Sequence, residues 1–286
     1  MPKISVLTPI YKTNEKFLRL AIESILSQTY KDFELIILDD CPNDKNSQKI
    51  VLSYKDKRIR YLKNKQNLGI SQSRNKLISL AKGEYLAIFD HDDISLPKRL
   101  EEECKYLDAN KECGAVGCFY KTLTRNKKQI KTFPINNEDI KKSMLNGMSM
   151  LHTSLMIRKS VLQKHNITYK QEFFPAEDYA FCGELMEKTI LHNIPQILVK
   201  YRNHKQNTSS KYSELMRSKD LIIKNILRKK HPNLWLEIEI NKTTIKRTKL
   251  FNIIPIMTTK EKTGLKKHHL LGFIPLYTTR TKTTYI

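Results

Sequence analysis

The sequence lacks the features of a disulfide-rich, zinc-binding or membrane-spanning protein. Its five cysteines are odd in number and none is spaced as CxxC, so neither a disulfide framework nor a zinc knuckle is encoded. No stretch approaches the roughly 18 to 20 apolar residues that span a bilayer, and the N-terminal segment MPKISVLTPIYKTNE has no apolar core of a secretory leader. We therefore expect reduced thiols in the core and a cytosolic protein.

Acidic residues are also scarce. Asp and Glu number 29 against 52 Lys and Arg, which gives a formal net charge of +23. Such a charge favours an anionic partner, and nucleic acid, an anionic membrane face and phosphorylated substrates all fit. No RNP-like motif, zinc pattern or recognisable helix-turn-helix is present, so nucleic-acid binding is not expected. Residues 205–286 hold 18 basic and 5 acidic residues and thus contribute +13 of the total.

Short apolar runs alternate with helical patterns along the first 90 or so residues. The alternation predicts an α/β fold, in which right-handed crossovers connect the strands of a parallel sheet. The predicted strands are 3–9, 33–39, 59–62 and 85–89, and the predicted helices are 14–29, 44–54 and 71–81. Further elements are predicted as a helix from 98 to about 110, strands 114–120, 153–157 and 196–201, a hairpin and short helix in 121–145, and helices 159–165, 179–188 and 213–230.

Polar residues follow three of these strands, at the edge where open α/β sheets bind ligands. Tyr11 follows the first strand, Asp39 ends the second, and Asp90 and Asp92 form a DxD after strand 85–89. Alternate carboxylates in a turn can face one point and hold a hard divalent cation such as Mg²⁺ or Mn²⁺. A solvated acidic turn and the DxD of an aspartate-nucleophile phosphatase are the alternative interpretations.

The chain resembles the family 2 glycosyltransferases of the GT-A fold, of the type that builds bacterial lipopolysaccharide or capsule. The resemblance extends over residues 3 to about 204 and lies in ISVLTPIYKTNEKFLRLAIESILSQTYKDFELIILDD, NLGISQSRNKLISLAKGEYLAIFDHDD and AEDYAFCGELM. It implies a Rossmann-like, mostly parallel sheet flanked by helices in a catalytic domain of residues 1–209. The nucleotide-sugar half would be about 1–93, the acceptor half about 94–209, and residues 210–286 a basic helical or irregular extension.

The resemblance also implies how the donor is bound. Pro9 and Tyr11 would pack around the base, and Asp39 would accept a hydrogen bond from the uracil N–H. A carboxylate there rejects cytosine, whose corresponding ring nitrogen is an acceptor. Arg74 would contact the base and diphosphate, since a guanidinium suits phosphate. One departure stands next to Asp39, where the sequence has Cys-Pro in place of the family's usual Gly-Ser.

The same resemblance assigns the metal and the base. Asp92 would be the main ligand of Mn²⁺ or Mg²⁺, Asp90 would contact the metal or the ribose, and His204 is a candidate third ligand. Asp178, in the family's ED motif, would be the catalytic base, and an alternative is that this acidic pair only favours the start of a helix.

Two further residues are candidates near the acceptor. Glu177 would support the base, and His152 could line the acceptor site. An ordinary core or edge histidine is the alternative for His152.

Together these features predict an inverting, metal-dependent enzyme that transfers a hexose or N-acetylhexosamine from a UDP-sugar. The acceptor would be a hydroxyl of a cell-surface glycan, such as lipopolysaccharide, lipooligosaccharide or capsule. The alternatives are a phosphatase-like DxD hydrolase and a non-enzymatic protein that binds nucleic acid or an anionic surface. Helix 213–230 combines an apolar stripe with many Lys and Arg, so it either attaches the enzyme to the inner membrane face or packs on the catalytic domain.

Overall fold

The computed structural model describes residues 1–123, 129–204, 207–248, 257–262, 265–270 and 274–280. The chain divides into two compact units, Met1–Lys229 and Lys230–Ile286. The predicted boundary after residue 209 falls inside a short helix of the first unit, α8 (Thr208–Lys211). None of the described helices is long and apolar enough to cross a membrane.

The first part of unit one has the predicted alternation of strands and helices. Its parallel strands lie in the order β3-β2-β1-β4, and residues of one parity along them face a common core with α1, α2 and the later helix α4. The elements are β1 (Ile4–Ile10), α1 (Glu15–Leu26), β2 (Phe33–Asp39), α2 (Lys45–Leu52), β3 (Ile59–Lys63), α3 (Ile70–Leu80) and β4 (Tyr85–Ile88).

The second part of unit one extends the same sheet. Its elements are β5 (Ile94–Ser95), α4 (Arg99–Ala109), β6 (Cys113–Leu123), β7 (Ile130–Lys131), α5 (Asn137–Met144), β8 (Met156–Arg158), α6 (Lys159–His165), α7 (Glu177–Lys188), β9 (Ile190–Arg202), α8 and α9 (Ser213–Lys230). The sheet order is β3-β2-β1-β4-β8-β6-β9-β5, with β7 paired to β6. Strand β8 runs antiparallel to both β4 and β6, and β9 runs parallel to β6. The mostly parallel sheet flanked by helices confirms the predicted fold class.

One strand prediction is wrong at its start. Residues 153–157 were expected to form a strand, but His152–Ser154 form a 3₁₀ turn and β8 begins at Met156. The backbone N–H of Leu155 donates to the carbonyl of His152, which closes the turn locally. The turn places Thr153 beside the end of β4, where its hydroxyl accepts a hydrogen bond of 2.9 Å from the backbone N–H of Asp90.

The second unit contains α10 (Pro232–Thr248) and a three-stranded antiparallel sheet of its own. The sheet consists of β10 (Met257–Lys262), β11 (Leu265–Leu270) and β12 (Ile274–Arg280), with β11 in the centre. Each outer strand contains a Thr-Thr pair followed by a basic residue. The two outer strands are therefore similar in sequence and flank the same central strand.

Candidate active site

The carboxyl ends of β1 and β4 meet, as the parallel sheet requires. The Nδ1 atom of His91, which follows β4, lies 3.3 Å from the carbonyl oxygen of Pro9 near the end of β1. Tyr11 follows β1 and is 47% exposed, and Lys12 beside it has a left-handed backbone with φ of 46°. An exposed aromatic ring at this strand end is available for packing against a planar base.

Asp39 ends β2 and is fully buried. Its Oδ1 accepts a hydrogen bond of 2.9 Å from the backbone N–H of Cys41, and its Oδ2 accepts one of 2.7 Å from the hydroxyl of Tyr61. Burial raises the pKa of Asp39, and the Tyr61 and Cys41 donors oppose that rise. Tyr61 was not among the predicted residues. No sequence signal marks it, because the pairing of Tyr61 with Ile37 across β2 and β3, which puts it on the same face as Asp39, depends on strand register.

The neighbouring Asp40 has a structural role that was not predicted from the sequence. Its carboxylate accepts hydrogen bonds from the backbone N–H groups of Leu68 and Gly69, each at 2.8 Å, and from the Asn64 side chain at 2.7 Å. Gly69 is the N-cap of α3 and has a φ of 80°. Asp40 therefore fixes the start of α3, the helix on which Arg74 lies.

The DxD residues point in two directions. Asp92 Oδ2 lies 2.8 Å from His204 Nε2, whereas Asp90 Oδ1 accepts a hydrogen bond of 3.3 Å from Arg74 Nη2. Arg202 ties the end of β9 to this turn, because its Nε donates to the carbonyl of Asp92 at 2.8 Å. The backbone N–H of Arg202 also donates to Oδ1 of Asp93 at 2.7 Å. His204 thus lies beside Asp92, although the two residues are 112 positions apart in the chain.

The donor set at this turn fits a hard divalent cation in its chemistry. Asp92 and His204 already face each other, and carboxylate oxygens with an imidazole nitrogen are ligands that Mn²⁺ accepts. Oδ2 of the buried Asp93 has no hydrogen-bond partner, and burial raises the pKa of Asp93. Within the described part of the chain, no three His, Cys, Asp or Glu side chains form a ready-made metal-binding group. Asp90, the other DxD carboxylate, is bonded to Arg74 through Oδ1.

Arg74 links the two sequence motifs. Its Nη1 donates a hydrogen bond of 2.8 Å to Oε1 of Glu177, and its Nη2 contacts Asp90. The guanidinium also lies over the ring of Tyr169, 5.3 Å from the ring centroid. Arg74 Nε and Glu177 Oε2 are buried without a hydrogen-bond partner. Each of these two atoms is therefore a buried polar group whose loss of hydration no hydrogen bond offsets.

Asp178 lies at the second residue of α7, next to this ion pair. Burial, with the nearby negative charge of Glu177, raises the pKa of Asp178 to about 7, and Arg74 opposes the rise. Its Oδ1 accepts a hydrogen bond of 2.7 Å from the backbone N–H of Tyr179. A carboxylate with a pKa near neutrality can both accept and release a proton at physiological pH, as a general base must.

His152 is buried behind this site. Its Nε2 lies 2.8 Å from the hydroxyl of Tyr169, and burial, with the nearby charge of Arg74, lowers the pKa of His152 well below its usual value. Tyr169 stacks on Phe181 of α7, and its backbone N–H and carbonyl both bond the Asn75 side chain at 2.8 Å. Tyr169 was also missed by the sequence reasoning, since no motif marks the loop that contains it.

Relatives of the chain are glycosyltransferases by name. The chain is 37% identical over 207 residues to an uncharacterized glycosyltransferase of Methanocaldococcus jannaschii, a match that covers 70% of this chain and 71% of the relative. It is 33% identical over 230 residues to an uncharacterized glycosyltransferase of Haemophilus influenzae, covering 74% and 69%. A putative glycosyltransferase of Bacillus subtilis, EpsE, is 40% identical over 119 residues, which are 41% of this chain and 42% of EpsE.

Solved structures share the fold at low sequence identity. S. aureus TarS 1-349, in complex with UDP-GlcNAc, superposes with a TM-score of 0.63 at 21% identity, over 76% of this chain and 65% of that one. The mannosyltransferase PcManGT from Pyrobaculum calidifontis, in complex with GDP-Man and Mn²⁺, gives 0.57 at 15% identity, over 78% and 63%. These likenesses support the GT-A architecture.

The family itself follows from the match to a family model. The model of glycosyl transferase family 2 matches residues 5–165, more than half of the 286-residue chain. This range includes the DxD turn, Asp39 and Arg74, while the ED motif and His204 lie beyond it. The chain belongs to glycosyl transferase family 2.

Proposed function

We propose that the protein is an inverting glycosyltransferase that moves a hexose or N-acetylhexosamine from a UDP-sugar to a hydroxyl of a glycan. The observation behind this proposal is the contact of one buried arginine, Arg74, with Asp90 of the DxD and Glu177 of the ED motif. That contact puts the candidate donor site and the candidate base at one place. The UDP-GlcNAc bound by TarS supports a uridine donor for this chain as well.

The donor would bind along the carboxyl ends of β1, β2 and β4. Tyr11 and Pro9 would flank the base, and Asp39 would accept a hydrogen bond from its ring N–H. Asp92, with Asp90 and His204, would hold a divalent cation, which when bound supplies neutralising charge at the departing diphosphate. Arg74 would contact the diphosphate through its guanidinium.

The chain's own residues would then direct the displacement. Asp178, as a carboxylate, would accept the proton of the acceptor hydroxyl while that oxygen forms a bond to the anomeric carbon. The bond from that carbon to the diphosphate oxygen breaks on the opposite face, so the configuration inverts. Glu177, held by Arg74, would fix the start of α7 and keep Asp178 in position. His152 would support this wall of the acceptor site through Tyr169.

The acceptor class is proposed from the charge of the chain and from its family. A net charge of +23 suits an anionic acceptor such as lipopolysaccharide, lipooligosaccharide or capsule, displayed on an anionic membrane face. The enzyme would then work in the cytoplasm, attached to the inner face of that membrane. The hydrolase and nucleic-acid alternatives are not retained, because the family indicates a transferase.

Calorimetric titration of UDP tests the donor assignment. We expect UDP to bind in the presence of Mn²⁺ and binding to be lost with EDTA, with CDP binding much more weakly. GDP is the informative competitor, because guanine also presents a ring N–H to a carboxylate and PcManGT is a GDP-Man complex. Tighter binding of GDP than of UDP would overturn the uridine assignment, and no nucleotide binding would overturn the proposed function.

A further inference from the structure

Among the residues that the structure describes, helix α9 packs on unit one along one side. Ile223 and Leu227 are each 3% exposed, and Leu227 fills the space beside Gly183 of α7, where an added Cβ would lie 3.2 Å from it. Nearby, Arg228 Nε donates a hydrogen bond of 2.9 Å to the carbonyl of Leu145. The helix is therefore anchored to the acceptor half, against the helix that begins with Glu177 and Asp178.

A second apolar side of α9 is exposed. Leu215, Ile222 and Ile226 are 43%, 44% and 38% exposed. At 100° per residue they fall within about 40° of one another around the helix axis, forming what we call the α9 stripe. Leu221, 55% exposed, points about 120° away from the stripe. The apolar side chains of this helix thus form two surfaces. One is packed on the rest of unit one, and the other, the α9 stripe, is covered by no described residue.

Basic residues border the α9 stripe. Lys219 and Lys229 lie on its two sides, each about 40° from its centre. The whole helix has six basic and two acidic residues, a net charge of +4. A second copy of the chain would bring the same charge to the same surface and be repelled. Nucleic acid would match the charge but would leave the three aliphatic side chains without an apolar environment.

We propose that the α9 stripe docks on the surface of an anionic lipid bilayer. Leu215, Ile222 and Ile226 would enter the boundary between headgroups and acyl chains, and the flanking lysines would contact anionic headgroups. Because α9 lies against α7, docking would hold the acceptor half near the membrane. This inference rests on the proposed function in one respect: a lipid-linked acceptor is the reason for the enzyme to bind the membrane.

Vesicle binding of the full chain tests the proposal. Co-sedimentation is measured with vesicles of phosphatidylcholine and with equimolar phosphatidylcholine and phosphatidylglycerol. The triple variant Leu215→Ser, Ile222→Ser, Ile226→Ser removes the stripe. A matched control removes one leucine and two isoleucines that are also exposed but lie outside the α9 stripe. Its substitutions are Ile130→Ser, Ile190→Ser and Leu221→Ser. Thermal unfolding of each variant verifies that it is folded.

We expect wild type and control to bind the anionic vesicles alike and the stripe variant to bind them at least about tenfold more weakly. Lys219→Glu with Lys229→Glu should weaken binding to anionic vesicles by a similar factor and leave binding to neutral vesicles unchanged. Equal binding of the stripe variant and the control would overturn the proposal, as would a wild-type protein that binds neither vesicle. A wild-type dimer that only the stripe variant dissociates would assign the stripe to a second copy instead. Nucleotide titration without vesicles tests the catalytic assignment separately.

Discussion

Arg74 and Glu177 form a buried ion pair in which Nη1 and Oε1 are 2.8 Å apart. The arginine comes from α3 in the first part of unit one, and the glutamate is the first residue of α7 in its second part. Both side chains are at most 10% exposed, so the pair is poorly screened by solvent. The ion pair therefore connects the two parts of unit one at the place where the DxD and ED motifs meet.

Breaking this pair should destabilise the fold. We expect Arg74→Met to cost about 3 kcal/mol or more in free energy of unfolding, because Glu177 is left buried without its cation. A double-mutant cycle with Glu177→Gln should give a coupling energy of at least about 1 kcal/mol, measured by urea unfolding. The exposed pair Arg19 and Glu15 is the control, with an expected coupling much weaker than that of the buried pair. Additive effects at Arg74 and Glu177 would contradict the coupling.

The raised pKa of Asp178 predicts a pH dependence of catalysis. A general base is active as the carboxylate, so kcat/KM should rise about tenfold per pH unit below pH 7 and level off above it. Asp178→Asn should lower turnover by about 10² to 10⁴ and abolish this rise, while UDP affinity is retained. Steady-state kinetics between pH 5.5 and 8.5, a range of about 1.5 units around that pKa, measure both effects. Normal turnover in the variant would remove Asp178 from the role of base.

Asp92 is the predicted main ligand of the cation. Asp92→Asn keeps the size of the side chain and an acceptor for His204 but removes the charge that a divalent cation needs. We expect Mn²⁺ to increase UDP affinity in wild type and to have little effect in this variant. Asp32→Asn is the control, because this exposed carboxylate directly precedes β2 and so lies at the edge of the sheet opposite the carboxyl ends of the strands. An unchanged response to Mn²⁺ in Asp92→Asn would exclude it from the metal site.

Tyr61 is expected to orient Asp39 for recognition of the base. In Tyr61→Phe the Oδ2 atom loses its 2.7 Å donor, so the carboxylate is less fixed and its pKa should rise further. UDP affinity should fall about tenfold, near the value of one hydrogen bond to a charged group. Tyr54→Phe, which removes a hydroxyl bonded to the surface residue Glu23, should bind UDP as wild type does. Equal calorimetric affinities in both variants would deny Tyr61 this role.

Much of the fold followed from local pattern. Strand β2 and helix α9 begin and end where the sequence predicted them, because apolar periodicity and turn residues act over short distances. The DxD turn was also visible, since parallel strands put their carboxyl ends at one edge. The turn at His152 was missed, because β-branched and apolar residues favour a strand only when neighbouring strands can accept them.

The sequence by itself thus determined which candidate site residues are present and at which edge of the sheet they lie. Only the tertiary structure decided that Arg74 reaches Glu177 across 103 positions of the chain, that Tyr61 bonds Asp39, and that burial raises the pKa of Asp178. It also showed that α9 packs on unit one through Ile223 and Leu227 and keeps the exposed α9 stripe, a division of its apolar side chains that was not predicted. The physical reason is that hydrogen-bond partners and burial depend on contacts between residues distant in sequence, which local periodicity does not encode.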